Sequence, residues 1–176
     1  MKITLIAGTN RPDSNTRKIT AAVETVYSEL GHPIQFLDLA QLPPDIFDPS
    51  SYDTAPASFQ HFQDVVNSSE GLHIVTPEYN GSIPGILKYF IDMLDMPGSF
   101  KGKSFCFTGL AAGQWGGMHS VEVLQNLVIG QGGKVFPTRV FIPGVRGVIS
   151  EEGQLTDEGI LKRLLSQAAG FIDFVG

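Results

Sequence analysis

Residues Ala7 to Lys18, AGTNRPDSNTRK, come directly after the apolar run Ile3–Ile6 and offer hydroxyls, amides and cations with almost nothing to bury. Gly8 turns the chain, and Thr9, Arg11, Ser14, Asn15 and Thr16 lead into a stretch of helical period. The first N–H groups of a helix have no intrahelical partner and lie at the positive end of its dipole, so this arrangement suits an anion. A phosphate monoester is the natural guest, and Arg11 could give it a charge-assisted bond roughly twice as strong as a neutral one. The same residues equally suit a helix that Ser14 or Asn15 merely caps, with Arg11 in water. The stretch lacks the G-x-x-x-x-G-K-[ST] pattern of a nucleoside-triphosphate loop, and Gly8 has no partner glycines for a dinucleotide fingerprint.

Two later stretches are unusual in the same way. TPEYNGSIPG, Thr76 to Gly85, brings a flat face from Tyr79, a donor and an acceptor from Asn80, and close backbone approach at Gly81. It also reads as a plain turn before a helix. GLAAGQWGG, Gly109 to Gly117, holds four glycines and the only tryptophan, Trp115. Together the three stretches describe a ligand with a phosphate tail and a polar heteroaromatic head, an outline that flavin mononucleotide (FMN) matches.

GTNRPDSNTRK, PEYNGSIPGILKYFID and AAGQWGG, in that order, resemble the motif set of the NADPH-dependent FMN reductase family, which includes flavodoxin-like quinone, azo and chromate reductases. The resemblance runs from the first strand to the last helix. It implies a flavodoxin-like sheet of order 2-1-3-4-5, with the flavin phosphate held by Thr9, Arg11, Ser14, Asn15 and Thr16. The isoalloxazine would meet Pro77, Glu78, Tyr79, Asn80 and Gly81 on one loop, and Ala111, Gly113, Gln114 and Gly116 on the other. It further implies NADPH (or NADH) as co-substrate, a small-molecule electron acceptor, and a homodimer or homotetramer built partly on the helix after Pro84. Thr9 stands where serine is commoner in the family, and Tyr89 and Phe90 replace smaller or polar residues.

Other reactive types are poorly placed for chemistry. His32, His61, His73 and His119 have no ligand-like spacing, so no metal site is read, and His73 falls inside an apolar strand where a packed imidazole is the simpler reading. Cys106 in SFCFT has no adjoining cation to make a thiolate. Glu78 reads as a surface or interface charge, and Trp115 serves equally well over a ligand or in a subunit contact. No side-chain acid or base is assigned, because a flavin would carry the chemistry.

The elements that must position these loops follow from periodicity. Ile3–Ala7, Ile34–Leu39, Leu72–Val75, Ser104–Thr108 and Val135–Ile142 read as five strands. Ile19, Ala22, Val23, Val26 and Leu30 form one helical stripe, stopped by Gly31; Ile86, Leu87, Phe90, Ile91 and Leu94 form another, with Pro84 near its first turn and Pro97–Gly98 beyond it. Val121, Leu124, Leu127 and Val128 mark a helix closing at Gly130, and Thr156 is read as the cap of a last helix with its stripe at Ile160, Leu161, Leu164, Leu165, Ala168 and Ile172. A weaker helix spans Ser58–Asn67, and Leu42–Pro56 reads as a long loop. The alternation predicts an α/β, doubly wound, five-stranded parallel sheet covered on both faces, with ligands beyond the strands' carboxyl ends.

At 176 residues with 42% hydrophobic and 17% charged side chains, the chain is read as one domain over residues 1–176. A net charge of −6 argues against nucleic acid as partner, and no segment has the length or apolarity of a signal sequence or membrane span. One cysteine excludes an internal disulfide and fits a cytoplasmic protein. An FMN-dependent oxidoreductase is the main reading. A flavodoxin-type electron carrier and a non-catalytic module binding another phosphorylated ligand stay open beside it.

Overall fold

Five consecutive buried residues, Ile3–Ala7, form strand β1 near the middle of a parallel sheet, in a computed structural model that describes residues 1–95 and 97–176. β2 (Gln35–Asp38) lies on one side of β1 and β3 (Gly71–Pro77) on the other. β4 (Ser104–Leu110) pairs with β3, while β5 (Lys134–Val135) and β6 (Val140–Ile142) both pair with β4. The path β2-β1-β3-β4-β5 has the expected flavodoxin-like order with one strand more.

Among the described residues five α-helices cover the sheet: α1 (Asn15–Glu29), α2 (Gln60–Ser68), α3 (Gly85–Met93), α4 (Met118–Gly130) and α5 (Glu158–Val175). Successive strand residues point to opposite faces, which sorts the core into two clusters. Ile6, Leu72, Ile74, Phe105 and Phe107 pack against α2, α3 and α4, and Leu5, Val75, Cys106 and Leu110 against α1 and α5. With both faces covered, β3 and β4 are buried at every position, which is why they read as short, mostly apolar runs with no polar alternation. The chain leaves β1 toward β2 and later returns on the other side as β3, so the loops after β1 and β3 diverge and leave a crevice between them.

The single strand expected over Val135–Ile142 is two, giving six strands among the described residues rather than five. β5 gives β4 the Lys134 N–H and the Phe136 N–H, each at 2.8 Å, and the ladder stops there because the next acceptor on β4, the Phe107 carbonyl, takes its hydrogen from the Gln167 side chain at 2.9 Å. Phe105 pairs with Val135 but Thr108 with Val140, so three steps along β4 match five along its neighbour and two residues are looped out. Asp157, not Thr156, caps α5: its carboxylate accepts from the Ile160 N–H at 2.8 Å, while the Thr156 hydroxyl donates to the Val148 carbonyl at 3.2 Å. α4 runs through Gly130 to a Gln131 cap, because Gly132, at φ +78°, takes the left-handed position. The loop Leu42–Pro56 holds two single turns of 3-10 helix, Pro44–Phe47 and Pro49–Tyr52.

One polar chain crosses the α1/α5 face of the core. Gln167 gives its amide hydrogens to the carbonyls of Phe107 and Thr138, so its oxygen, 2.8 Å from Thr108 Oγ1, must accept. Thr108 then accepts from His73 Nε2 at 2.9 Å, and His73 Nδ1 accepts from the Tyr27 hydroxyl at 3.0 Å. Every member is satisfied only with His73 neutral and protonated at Nε2. Burial holds its pKa down at about 3.

Candidate functional site

At the carboxyl ends of β1, β3, β4 and β6 the loops enclose a cleft of about 540 Å³. Residues from Arg11 to Lys18 at the start of α1 form one wall, and Pro77–Tyr79, Leu110–Ala112 and the segment Val145–Ser150 contribute the others. This volume is typical of a small-molecule site.

The first wall is shaped by its own hydroxyls. Ser14 caps α1 by accepting from the Arg17 N–H at 3.2 Å, and Asp13 takes the left-handed conformation ahead of it at φ +49°. With Ser14 occupied by Arg17, the N–H groups at the very start of α1 stay aimed outward, as helix geometry requires. Thr9 is buried; its hydroxyl accepts from the Arg11 N–H at 3.2 Å and lies 3.1 Å from the Tyr79 hydroxyl. Arg17 is committed elsewhere, its Nε 2.9 Å from the nearly buried Asp38 carboxylate at the end of β2. Among the described residues no carboxylate is within ion-pair distance of Arg11, Lys18 or Arg146, the three cations of the cleft.

Tyr79 and Ser82 exchange both backbone hydrogen bonds, at 2.9 and 3.0 Å, around Asn80 and Gly81. Both turn residues have positive φ, +53° and +73°, the conformation for which Asn-Gly is the preferred pair. The turn is tied down because the Glu78 N–H donates to the Leu110 carbonyl at 3.0 Å. Both Glu78 carboxylate oxygens accept from His119, one from its N–H at 3.2 Å and one from Nδ1 at 2.9 Å.

The glycine stretch divides by role. A Cβ on Gly116 would stand 2.8 Å from the Ile142 nitrogen, and one on Gly117 2.4 Å from the Leu110 nitrogen, so these glycines let backbone pack on backbone. Gly113 faces open space, and Gln114 and Trp115 are exposed.

Of the residues singled out in the sequence, Arg11, Ser14, Asn15, Thr16, Pro77, Glu78, Tyr79 and Ala111 line one cleft. Thr9 stands behind it, joined to Arg11 and Tyr79, whereas Asn80, Gly81, Gly113, Gln114 and Gly116 are outside its lining. Sequence reasoning missed Lys18, one turn after Ser14 on the same helix, and the wall carrying Arg146, Ile149 and Ser150. A fourth Gly- and Pro-bearing loop after the last strand, PGVRG, was the available signal. Cys106 is buried among apolar neighbours, which pushes its thiol well above the ordinary range. Among the described residues no cluster of three or more His, Cys, Asp or Glu could hold a metal ion, and no helix is long and apolar enough to cross a membrane.

A sequence profile described as NADPH-dependent FMN reductase matches residues 1–146. A quinone reductase of Pseudomonas putida is 27% identical over 163 residues, 89% of this chain and 85% of its own length. An NAD(P)H-dependent FMN reductase of Pseudomonas aeruginosa is 26% identical over 163 residues, 90% of this chain and 86% of its own. Among solved structures, FerB, a flavoenzyme NAD(P)H:(acceptor) oxidoreductase from Paracoccus denitrificans, superposes with a TM-score of 0.79 at 24% identity, covering 99% of this chain and 96% of that one. At that identity the likeness speaks for the fold.

Proposed function

The chain belongs to the NADPH-dependent FMN reductase family, and from that premise we propose that the cleft holds FMN by its phosphate at the start of α1 and serves electron transfer from NADPH to a small quinone-like acceptor. One observation carries the reading: the anion-suited start of α1, with Arg11 unpaired, faces the loops after β3 and β4 across a single cleft. The donor set fits a phosphate ester, since Ser14, Asn15, Thr16 and the Arg11 guanidinium all line that wall, with the Thr9 hydroxyl behind them. Of the two carboxylates in the lining, Glu78 has both oxygens occupied by His119.

When bound, the flavin supplies the two-electron chemistry at its ring, and the protein supplies binding and orientation. Pro77, Glu78 and Tyr79 give the ring side of the cleft a fixed edge, because the Asn80–Gly81 turn and the Glu78–Leu110 bond leave that backbone little freedom. Ala111 forms the adjoining backbone wall, its N–H given to the Ile142 carbonyl and its carbonyl accepting from Val145. Asn80, Gly81, Gly113, Gln114 and Gly116 border the same loops, and we assign them to the ring's outer edge. Relatives named quinone reductase support a quinone-like acceptor, with azo compounds and metal oxyanions as further candidates. The outward face of α3 carries a Lys88–Asp92 pair at 2.6 Å and Tyr89, which packs with the exposed rings of Phe47 and Tyr52. We assign that face to a homodimer or homotetramer contact.

Protein purified with excess FMN and freed of unbound cofactor should be yellow, bleach rapidly on anaerobic addition of NADPH, and regain its colour with benzoquinone. A colourless protein overturns the proposal. A yellow protein that NADPH leaves oxidised is an electron carrier instead.

A further inference from the structure

Gly117, the residue ahead of α4, cannot cap it. Its φ of +87° and the 2.4 Å approach of a Cβ to the Leu110 nitrogen restrict the position to glycine, so the helix starts without a capping side chain of its own and without an acidic residue in its first turn. The acceptor arrives from 41 residues away. Glu78 accepts from the His119 N–H in that first turn at 3.2 Å and, with its other oxygen, from His119 Nδ1 at 2.9 Å. The side chain of Glu78 is only 14% exposed, and its charge meets the positive end of the α4 dipole. A second tie runs through its main chain, where the Glu78 N–H donates to Leu110. Trp115 stands edge-on to the His119 ring with centroids 6.2 Å apart.

We infer that Glu78 and His119 act as a clamp: Glu78 is a positioning residue that works through His119 to fix the β3 loop against the start of α4, and so sets the ring side of the cleft. The inference rests on the reading that this cleft holds FMN. Both carboxylate oxygens accept from His119, so the side chain's hydrogen bonds run to the start of α4. His119, which nothing in the sequence linked to the site, becomes as necessary as Glu78. Tyr79 follows Glu78 directly and takes its place from it. Releasing the clamp frees the start of α4 from the β3 loop, while Pro77 stays in register with Leu110 and the Glu78 N–H stays bonded to it.

The test uses FMN-free native protein and the variants Glu78→Ala, Glu78→Gln, His119→Ala and the Glu78→Ala/His119→Ala double variant. Each is titrated with FMN, followed by quenching of Trp115, the only tryptophan, and by the shape of the bound flavin's visible absorption band. Glu78→Ala and His119→Ala should each weaken FMN by about tenfold, the scale of one charge-assisted hydrogen bond, and alter the band in the same way. The double variant should be no worse than either single one, because each residue acts through the other. Glu78→Gln should recover most of the affinity, since an amide can accept from the His119 N–H and donate to Nδ1. Additive losses overturn the clamp, as does a glutamine as damaging as alanine, or a lowered thermal midpoint with native affinity and band shape. Should Glu78→Ala fail to fold, Glu78→Gln against His119→Ala decides by the same criteria. Native protein that binds no FMN overturns the assignment of the cleft together with the clamp; native binding with unaltered variants overturns the clamp alone.

Discussion

The hydroxyls of Thr9 and Tyr79 lie 3.1 Å apart, so the loop after β1 and the loop after β3 meet across the point where strand order reverses. Thr9 also accepts from the Arg11 N–H, which places its oxygen at the junction of the anion-suited wall and the aromatic one. A hydrogen bond in such a part-buried setting contributes about 1 kcal/mol net. The cycle Thr9→Val, Tyr79→Phe and both together, read by urea unfolding of FMN-free protein, should therefore show a coupling of about 1 kcal/mol. Strictly additive losses would mean the two loops are not joined there.

Arg11 lines the cleft, is exposed, and has no carboxylate partner among the described residues, so it contributes little to folding and should matter when a phosphate arrives. Arg11→Ala should weaken FMN by about 10- to 100-fold, as expected for one charge-assisted bond to a dianion, and leave the unfolding free energy of FMN-free protein within about 0.5 kcal/mol of native. Riboflavin, which lacks the phosphate, should bind native protein and variant alike. An equal loss for both flavins would place Arg11 at the ring.

His73 is fully buried, and burial holds its pKa at about 3 against 6.5 for the free imidazole. Between those values the unfolded chain binds a proton that the folded chain does not, so stability is fully present above about pH 6.5 and falls toward pH 3, by up to about 1.4 kcal/mol per pH unit from this group. His73→Gln keeps a donor and an acceptor but does not titrate. Its unfolding free energy should therefore depend on pH more weakly than native, by about one proton between pH 4 and 6. Identical slopes would show that His73 takes up its proton without unfolding the chain.

The glycines after β4 divide into those that face a backbone and those that face solvent. Gly117→Ala meets both a left-handed φ and the Leu110 nitrogen, and should cost at least about 3 kcal/mol in thermal or urea unfolding. Gly113→Ala, with nothing within 4 Å, should change stability by less than about 1 kcal/mol. Equal tolerance at the two positions would contradict the packing described for this loop.

These particulars show what a sequence can and cannot carry. β1 and the stripe of α1 were legible because each is a local pattern, an apolar run and a 3.6-residue period, and each ends at a residue with a mechanical reason to end it: Gly8 and Gly31. Local chemistry narrows the cap of α1 to Ser14 or Asn15, and Ser14 is the one that accepts from Arg17. Val135–Ile142 reads as one strand because apolar residues stand at both its ends, while the break depends on Gln167, far along the chain, taking the Phe107 carbonyl and on the register against β4. The Glu78–His119 pair spans 41 residues and leaves no local mark. Gly113 and Gly117 are the same letter, and only the neighbouring backbone distinguishes them. Arg146, Ile149 and Ser150 reach the cleft only because β6 runs beside β4, a relation between segments far apart in the chain that leaves no local pattern.

The central claim, that the start of α1 grips the phosphate of FMN, is tested most directly by calorimetric titration of FMN-free protein with FMN and with riboflavin at low and high salt. The account predicts one FMN per chain, bound more weakly as salt rises, and riboflavin at least about tenfold weaker with little salt dependence. Equal affinity for the two flavins, or no binding of either, would contradict it.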